Sequence, residues 1–122
     1  IHIGMGPDYR ATGRSAYTVE THIRHLAEVH AGELLHVETR LLGHDAKRMR
    51  LHHSIQRTDG AEVAEVATGE HMLLHVDTRA GRACPMPAAL IAALEALAAH
   101  ESAPRPDHAG RGIRDISPTV RD

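Results

Sequence analysis

The sequence predicts an α+β protein, an antiparallel sheet of four strands followed by one short helix. Three observations lead there. Between Ser15 and Asp77, polar and apolar residues alternate in successive stretches, the period of a sheet with one covered face. Asp59-Gly60 separates two of these stretches, and Asp-Gly supplies the positive φ that a tight hairpin needs. After Pro85 and Pro87, Leu90, Leu94 and Leu97 recur at the spacing of an apolar helical stripe, with Ile91 beside it.

Each element follows in order. The first strand is expected from Ser15 to Val29, with Tyr17, Val19, Thr21 and Ile23 on one face and Thr18, Glu20, His22 and Arg24 on the other. Gly32 permits a turn into a second strand, Glu33 to Gly43. Its covered side is Leu35, Val37, Thr39 and Leu41, with His36, Glu38 and Arg40 opposite. Gly43-His44-Asp45 turns the chain into a third strand, Lys47 to Arg57, whose apolar side carries Met49, Leu51, His53 and Ile55. The fourth runs from Glu62 to about Val76, with Ala64, Val66, Thr68, Met72 and Leu74 in register. The helix is expected from Met86 to His100, because proline fits only an opening helical turn. Arranged as a meander, these strands present an apolar face wider than one short helix covers. A helix outside the sequence, a partner subunit, or both must cover the rest.

The remaining composition narrows the function. The 122 residues suit one domain, read as residues 1–101, followed by a flexible tail over 102–122 that is rich in Pro, Arg, Asp and Gly. A net charge of -2, no Phe or Trp and only two Tyr speak against a nucleic-acid partner. No apolar run reaches membrane-spanning length and no signal-peptide pattern opens the chain, so a cytoplasmic protein with no membrane partner is expected. The single Cys84 fits a reducing compartment and lacks the His-Asp context of a nucleophile. Residue 1 is Ile, as expected after processing, loss of an N-terminal segment, or excision from a longer fusion. The first fourteen residues read as the end of an element followed by a loop.

Three phrases carry a resemblance: Tyr17-Thr18-Val19-Glu20-Thr21-His22-Ile23-Arg24, Leu41-Leu42-Gly43 with Asp45-Ala46-Lys47-Arg48, and Leu74-His75-Val76-Asp77. Together they make residues 3 to 100 resemble the hot-dog-fold acyl-CoA thioesterases. More narrowly, they resemble the betainyl-CoA thioesterase branch, which occurs alone or fused to L-carnitine dehydrogenase. The resemblance implies a hot-dog sheet whose N-terminal strand and central helix are missing or truncated here, with Ile1 to Met5 as the tail of that helix. It also implies hydrolysis of a short acyl-CoA, betainyl-CoA first, by a homodimer or higher homo-oligomer that needs no cofactor. Active sites would lie near subunit interfaces.

Thioester hydrolysis needs a base or nucleophile, a donor for the carbonyl oxygen and cations for the CoA phosphates. Glu20 and His22 project side by side and are candidate catalytic groups that border the acyl pocket, with Glu28 further along the same face. A solvated or interface-facing polar strand is the alternative. Lys47 and Arg48, with Arg50, are candidates for the phosphates, or charges that keep a sheet edge from pairing. His53 and Glu70 fall on nominally apolar faces of adjacent strands. They are candidates for a site shared between subunits, or polar groups satisfied within the fold. The twelve histidines lack ligand-spaced Cys or carboxylate partners, so no metal site is expected. A module that binds acyl-CoA or supports oligomerisation without catalysis is the competing reading.

Overall fold

The computed structural model describes residues 5–99, 105, 106, 108–113 and 116. The expected helix tail at Ile1–Met5 therefore lies, apart from Met5, outside the described residues, as does His100 and much of the C-terminal segment. The elements are α1 (Pro7–Arg10), β1 (Arg14–His25), β2 (Leu34–His44), β3 (Arg48–Asp59), β4 (Glu62–Asp77), β5 (Arg82–Ala83) and α2 (Ala88–Ala99).

All strand pairings are antiparallel, and the main sheet runs β1-β4-β3-β2, with β5 also pairing with β4. The expected meander is thus corrected. β2, β3 and β4 are joined as hairpins, but β1 pairs with the long β4 rather than with β2. Alternation fixes which face a residue takes and leaves the neighbouring strand open. The connection from β1 to β2 crosses one end of the sheet, tied there by the Arg57 side chain. Its Nη1 donates to the Glu28 carbonyl oxygen at 2.7 Å, and its Nε lies 3.5 Å from the Glu33 carboxylate.

Bulges change the faces that simple alternation predicts. Thr18 pairs with Leu73 and Glu20 with Met72, so Val19 is an extra residue in β1. Tyr17 therefore shares a face with Glu20, His22 and Arg24, and Thr18 joins Thr21 and Ile23. A second bulge falls between Leu41 and Gly43 of β2, and a third at Val66 of β4. Because of the third, Ala64 lies on one face while Thr68, Met72 and Leu74 lie on the other. The Val66 carbonyl oxygen accepts from the N–H groups of Leu26 and Ala27, and pairing of β1 with β4 stops at His25.

The helix side of the sheet carries Leu41, Met49, Leu51 and Leu73. Met86, Leu90 and Leu94 close over them, with Ile91 and Leu97 packed around. Leu94 is fully buried and Met49 nearly so. This core occupies one half of that face. Ile23 and Val37, towards the other half, are 55% and 56% exposed. One short helix therefore covers only part of the apolar face.

Beside the core, fully buried His75 links α1 to the loop before α2. Its Nδ1 lies 3.0 Å from the Cys84 carbonyl oxygen, which can only accept, so Nδ1 carries the proton. Nε2 then accepts from the Tyr9 hydroxyl. Cys84 Sγ is 3.4 Å from the same Nδ1, but a ring nitrogen that already bears its proton cannot deprotonate the thiol.

Candidate functional site

The face opposite the helix is polar, and the register states which side chains meet there. Glu20 stands opposite Met72, His22 opposite Glu70, Glu70 opposite His52, and Met72 opposite Arg50. The Arg50 guanidinium forms an ion pair with Glu70. The C-terminal segment lies across these groups. The Gly110 N–H donates to both Glu70 oxygens, at 3.0 and 3.2 Å, and His108 Nε2 lies 2.8 Å from His52 Nε2. Gly110 has φ +83°, a conformation that glycine adopts without a Cβ penalty. Sheet and segment enclose a groove of about 430 Å³, with Glu20, His22, Arg50, Glu70 and Met72 on one wall and Gly110–Ile113 on the other.

The two carboxylates in this groove differ in availability. Burial pushes Glu70 upward, but the hydrogen bonds from Arg50 and Gly110 outweigh it and hold the carboxyl below its usual range. Glu70 is thus ionised and tied to the cation and the amide that neutralise it. Glu20 makes no hydrogen bond or ion pair among the described residues and is open to solvent. Glu20 can accept a proton from a bound water, and His22 brings a ring N–H or lone pair two residues along the same wall.

The other expected site residues lie elsewhere. Glu28 does not continue the face of Glu20, because β1 ends at His25. It is exposed in the connection, 3.9 Å from His30 Nε2. His53 pairs with Gly69 and projects to the helix side, opposite to Glu70. Thr39 Oγ1 lies 2.8 Å from its Nδ1, and the His71 ring is 5.1 Å away between centroids. Arg48 is held at the turn before β3, where Asp45 accepts from its side chain at 2.7 and 2.8 Å. That bond, with the N–H groups of Lys47 and Arg48, draws Asp45 down to about 2. The Lys47 side chain is exposed at the same turn. Among the described residues, no three His, Cys, Asp or Glu side chains converge as a metal site would require. No helix among them is long and apolar enough to cross a membrane.

His52 and His53 give the fold a pH dependence. Burial, then the neighbouring His108, holds His52 below the usual histidine range; burial, then His71, does the same for His53. The folded state favours both neutral rings, while the unfolded chain takes up protons near pH 6.5. Just below that pH the unfolded state binds more protons, so stability is full above about 6.5 and declines as pH falls towards the folded values. Glu70, depressed below its carboxylate range, adds its loss only in more acid solution. The urea midpoint is expected to fall between pH 7.5 and 5.5, and less so in a His52→Gln, His53→Gln variant. A flat midpoint would count against the burial of both rings.

Among the described residues, an antiparallel sheet with a helix packed on one face is the architecture of the hot-dog fold. Residues 2–94 match the Thioesterase-like superfamily, and the chain belongs to it. It is 66% identical over 116 residues to an L-carnitine dehydrogenase/betainyl-CoA thioesterase of Agrobacterium fabrum, covering 95% of this chain and 23% of that protein. It is 40% identical over 114 residues to a betainyl-CoA thioesterase of Pseudomonas aeruginosa, covering 92% of this chain and 70% of the relative. The chain thus spans under a quarter of the fused relative and about two thirds of the stand-alone one. A Staphylococcus aureus protein solved in complex with CoA shares the fold, with TM-score 0.82 and 20% identity over 93% of this chain and 71% of that one.

Proposed function

We propose that the chain hydrolyses a short acyl-CoA thioester, betainyl-CoA, to betaine and free CoA, acting in the cytoplasm as a homo-oligomer. The observation that carries this reading is the solvent-open Glu20 carboxylate, without a partner among the described residues and set opposite Met72 in a groove that already holds a neutralised carboxylate. The names of the Agrobacterium and Pseudomonas relatives support the acyl group. The exposed Ile23 and Val37 support a partner on the helix side.

In this reading Glu20 takes a proton from water as the oxygen attacks the thioester carbonyl carbon. The His22 ring donates to the carbonyl oxygen as it becomes anionic. Collapse breaks the carbon–sulfur bond, and the thiolate leaves and is protonated. The net change is thioester plus water to carboxylic acid plus thiol. The acyl group bears a quaternary ammonium, which favours anionic and π surfaces. Glu20 supplies the first. The bulge at Val19 turns Tyr17 onto the same face, where it pairs with Leu74 beside the Glu20–Met72 pair and supplies the second.

The test is thiol release from betainyl-CoA, acetyl-CoA, butyryl-CoA and 3,3-dimethylbutyryl-CoA, the last a neutral isostere of the substrate. Betainyl-CoA is expected to turn over at least about tenfold faster than the isostere. Equal rates would remove the cation selectivity, and silence across the panel would favour a binding module.

A further inference from the structure

The two walls of the groove are held in different ways. Glu20, His22, Arg50, Glu70 and Met72 stand on paired strands, whereas Gly110–Ile113 belong to a segment outside the strands and helices. Two turns shape that segment. The Ala109 N–H donates to the Pro106 carbonyl oxygen at 3.0 Å, and the Arg111 N–H donates to the His108 carbonyl oxygen at 3.2 Å. Gly110 is the third residue of the second turn, and its φ of +83° is close to the value a type II turn has there.

The segment meets the sheet at two points. The His108 and His52 rings lie 5.0 Å apart between centroids, with one Nε2 donating to the other at 2.8 Å. The Gly110 N–H is shared between the two oxygens of Glu70. His52 is only 5% exposed and the Glu70 side chain 13%, although both lie on the face away from α2. The segment is thus seated on the sheet and not merely near it.

We propose that residues 108–113 form a strap latched over the groove, and that Glu70 is a positioning residue, acting through Gly110 to hold closed the wall that faces Glu20. This role rests on the hydrolase reading and adds what keeps its site assembled. Glu70 suits a latch better than a base. Arg50 balances its charge, and the bond it accepts from Gly110 is charge-assisted, about twice as strong as a neutral one. A latched strap needs no ordering when an acyl-CoA arrives. A released strap must be ordered by the substrate itself, so apparent affinity falls with the latched fraction while the complex, once formed, is the same. The effect therefore belongs in KM and not in kcat.

Tryptic cleavage after Arg111, followed by mass, reads the strap without recourse to turnover, because Arg111 is exposed beside the latch and a protease cuts the locally released chain. Three variants are compared with the unsubstituted chain: Glu70→Gln, Gly110→Val and Gly110→Asn. A Cβ at Gly110 would stand 3.5 Å from Arg50 Nη2, an ordinary contact, so the two Gly110 variants differ in backbone preference. Asparagine tolerates positive φ and keeps the N–H on Glu70; β-branched valine opposes that conformation.

Glu70→Gln and Gly110→Val are each expected to speed cleavage by about tenfold or more. Both should raise KM for betainyl-CoA by about threefold or more, with kcat nearly unchanged. Gly110→Asn should stay near the unsubstituted chain in both measurements. The urea midpoint of the two Gly110 variants should hold, because the strap lies outside the core under α2.

Cleavage equally fast in all four chains, or faster cleavage with KM unaltered in Glu70→Gln and Gly110→Val, overturns the strap and leaves the hydrolase reading standing. A loss of kcat in Glu70→Gln that Gly110→Val does not share overturns the positioning role, since Glu70 would then act on the reaction directly. If no chain hydrolyses the thioester, betainyl-CoA is itself a stable ligand, and its Kd by calorimetry takes the place of KM. A higher Kd in the same two variants then sustains the strap and removes the hydrolase reading. No binding by the unsubstituted chain overturns both.

Discussion

Replacing Glu20 by Gln is expected to slow betainyl-CoA hydrolysis by about 10²–10⁴-fold, the range for losing a positioned general base. Gln keeps the size and the solvent-facing position of the side chain but cannot take the proton of an attacking water. The neighbouring carboxylate has little capacity to substitute. Glu70 is paired with Arg50, receives the Gly110 N–H and sits below its usual range, so it is a poor base at neutral pH. The loss should fall on kcat, with a smaller rise in KM from removing an anion near the quaternary ammonium. The neutral isostere 3,3-dimethylbutyryl-CoA should show the kcat loss without the KM change. Full turnover by Glu20→Gln would exclude Glu20 as the base.

Leu94→Ala is expected to destabilise the fold by about 3–5 kcal/mol, near the upper end for removal of a buried leucine. Leu94 is fully buried among Leu41, Met49, Met86 and Leu90, where its methyl groups have no route to solvent. A domain of this size commonly has about 5–15 kcal/mol in all, so the loss is a large share. The consequence reaches beyond one cavity, because α2 has only 12 residues and a helix so short is marginal away from its sheet. Leu97→Ala, at a partly buried position on the same stripe, should cost distinctly less. Urea unfolding measures both. Equal effects at the two positions, or a Leu94→Ala cost below about 1 kcal/mol, would contradict the docking of α2.

The local elements were legible because their signals are local. Alternation located the four long strands, though not the two-residue β5 or the one-turn α1, and it ran the first strand past its end at His25; Gly32 and Asp59-Gly60 marked turns, and Pro87 set the start of α2 within two residues. The resemblance carried by the Tyr17–Arg24 and Leu74–Asp77 phrases named the family that residues 2–94 match. Pairing was less legible. An extra residue at Val19 or Val66 has no distinctive side chain, so uniform alternation misassigned Tyr17, Thr18 and the relative faces of His53 and Glu70. Glu20, His22 and Glu70 were singled out by residue type, and the fold places them in one groove. The partners that define their chemistry were not visible. Arg50 meets Glu70 only through the β3–β4 register, and Gly110 and His108 belong to an aperiodic segment that no pattern links to the sheet.

The bulges also bear on how the length of this domain can vary. Among the described long strands, β1, β2 and β4 each accommodate one surplus residue, at Val19, Leu42 and Val66, whereas β3 runs without interruption between two neighbours. Deleting Val19 would leave Thr18 opposite Leu73 and Glu20 opposite Met72, so the groove would keep its chemistry while the strand straightened. The same deletion within β3, between Arg50 and Ile55, would invert one end of the strand and exchange groove residues for core residues. Natural or engineered changes in length should therefore collect in the outer strands and in β4, and avoid the strand that serves as the ruler for the others.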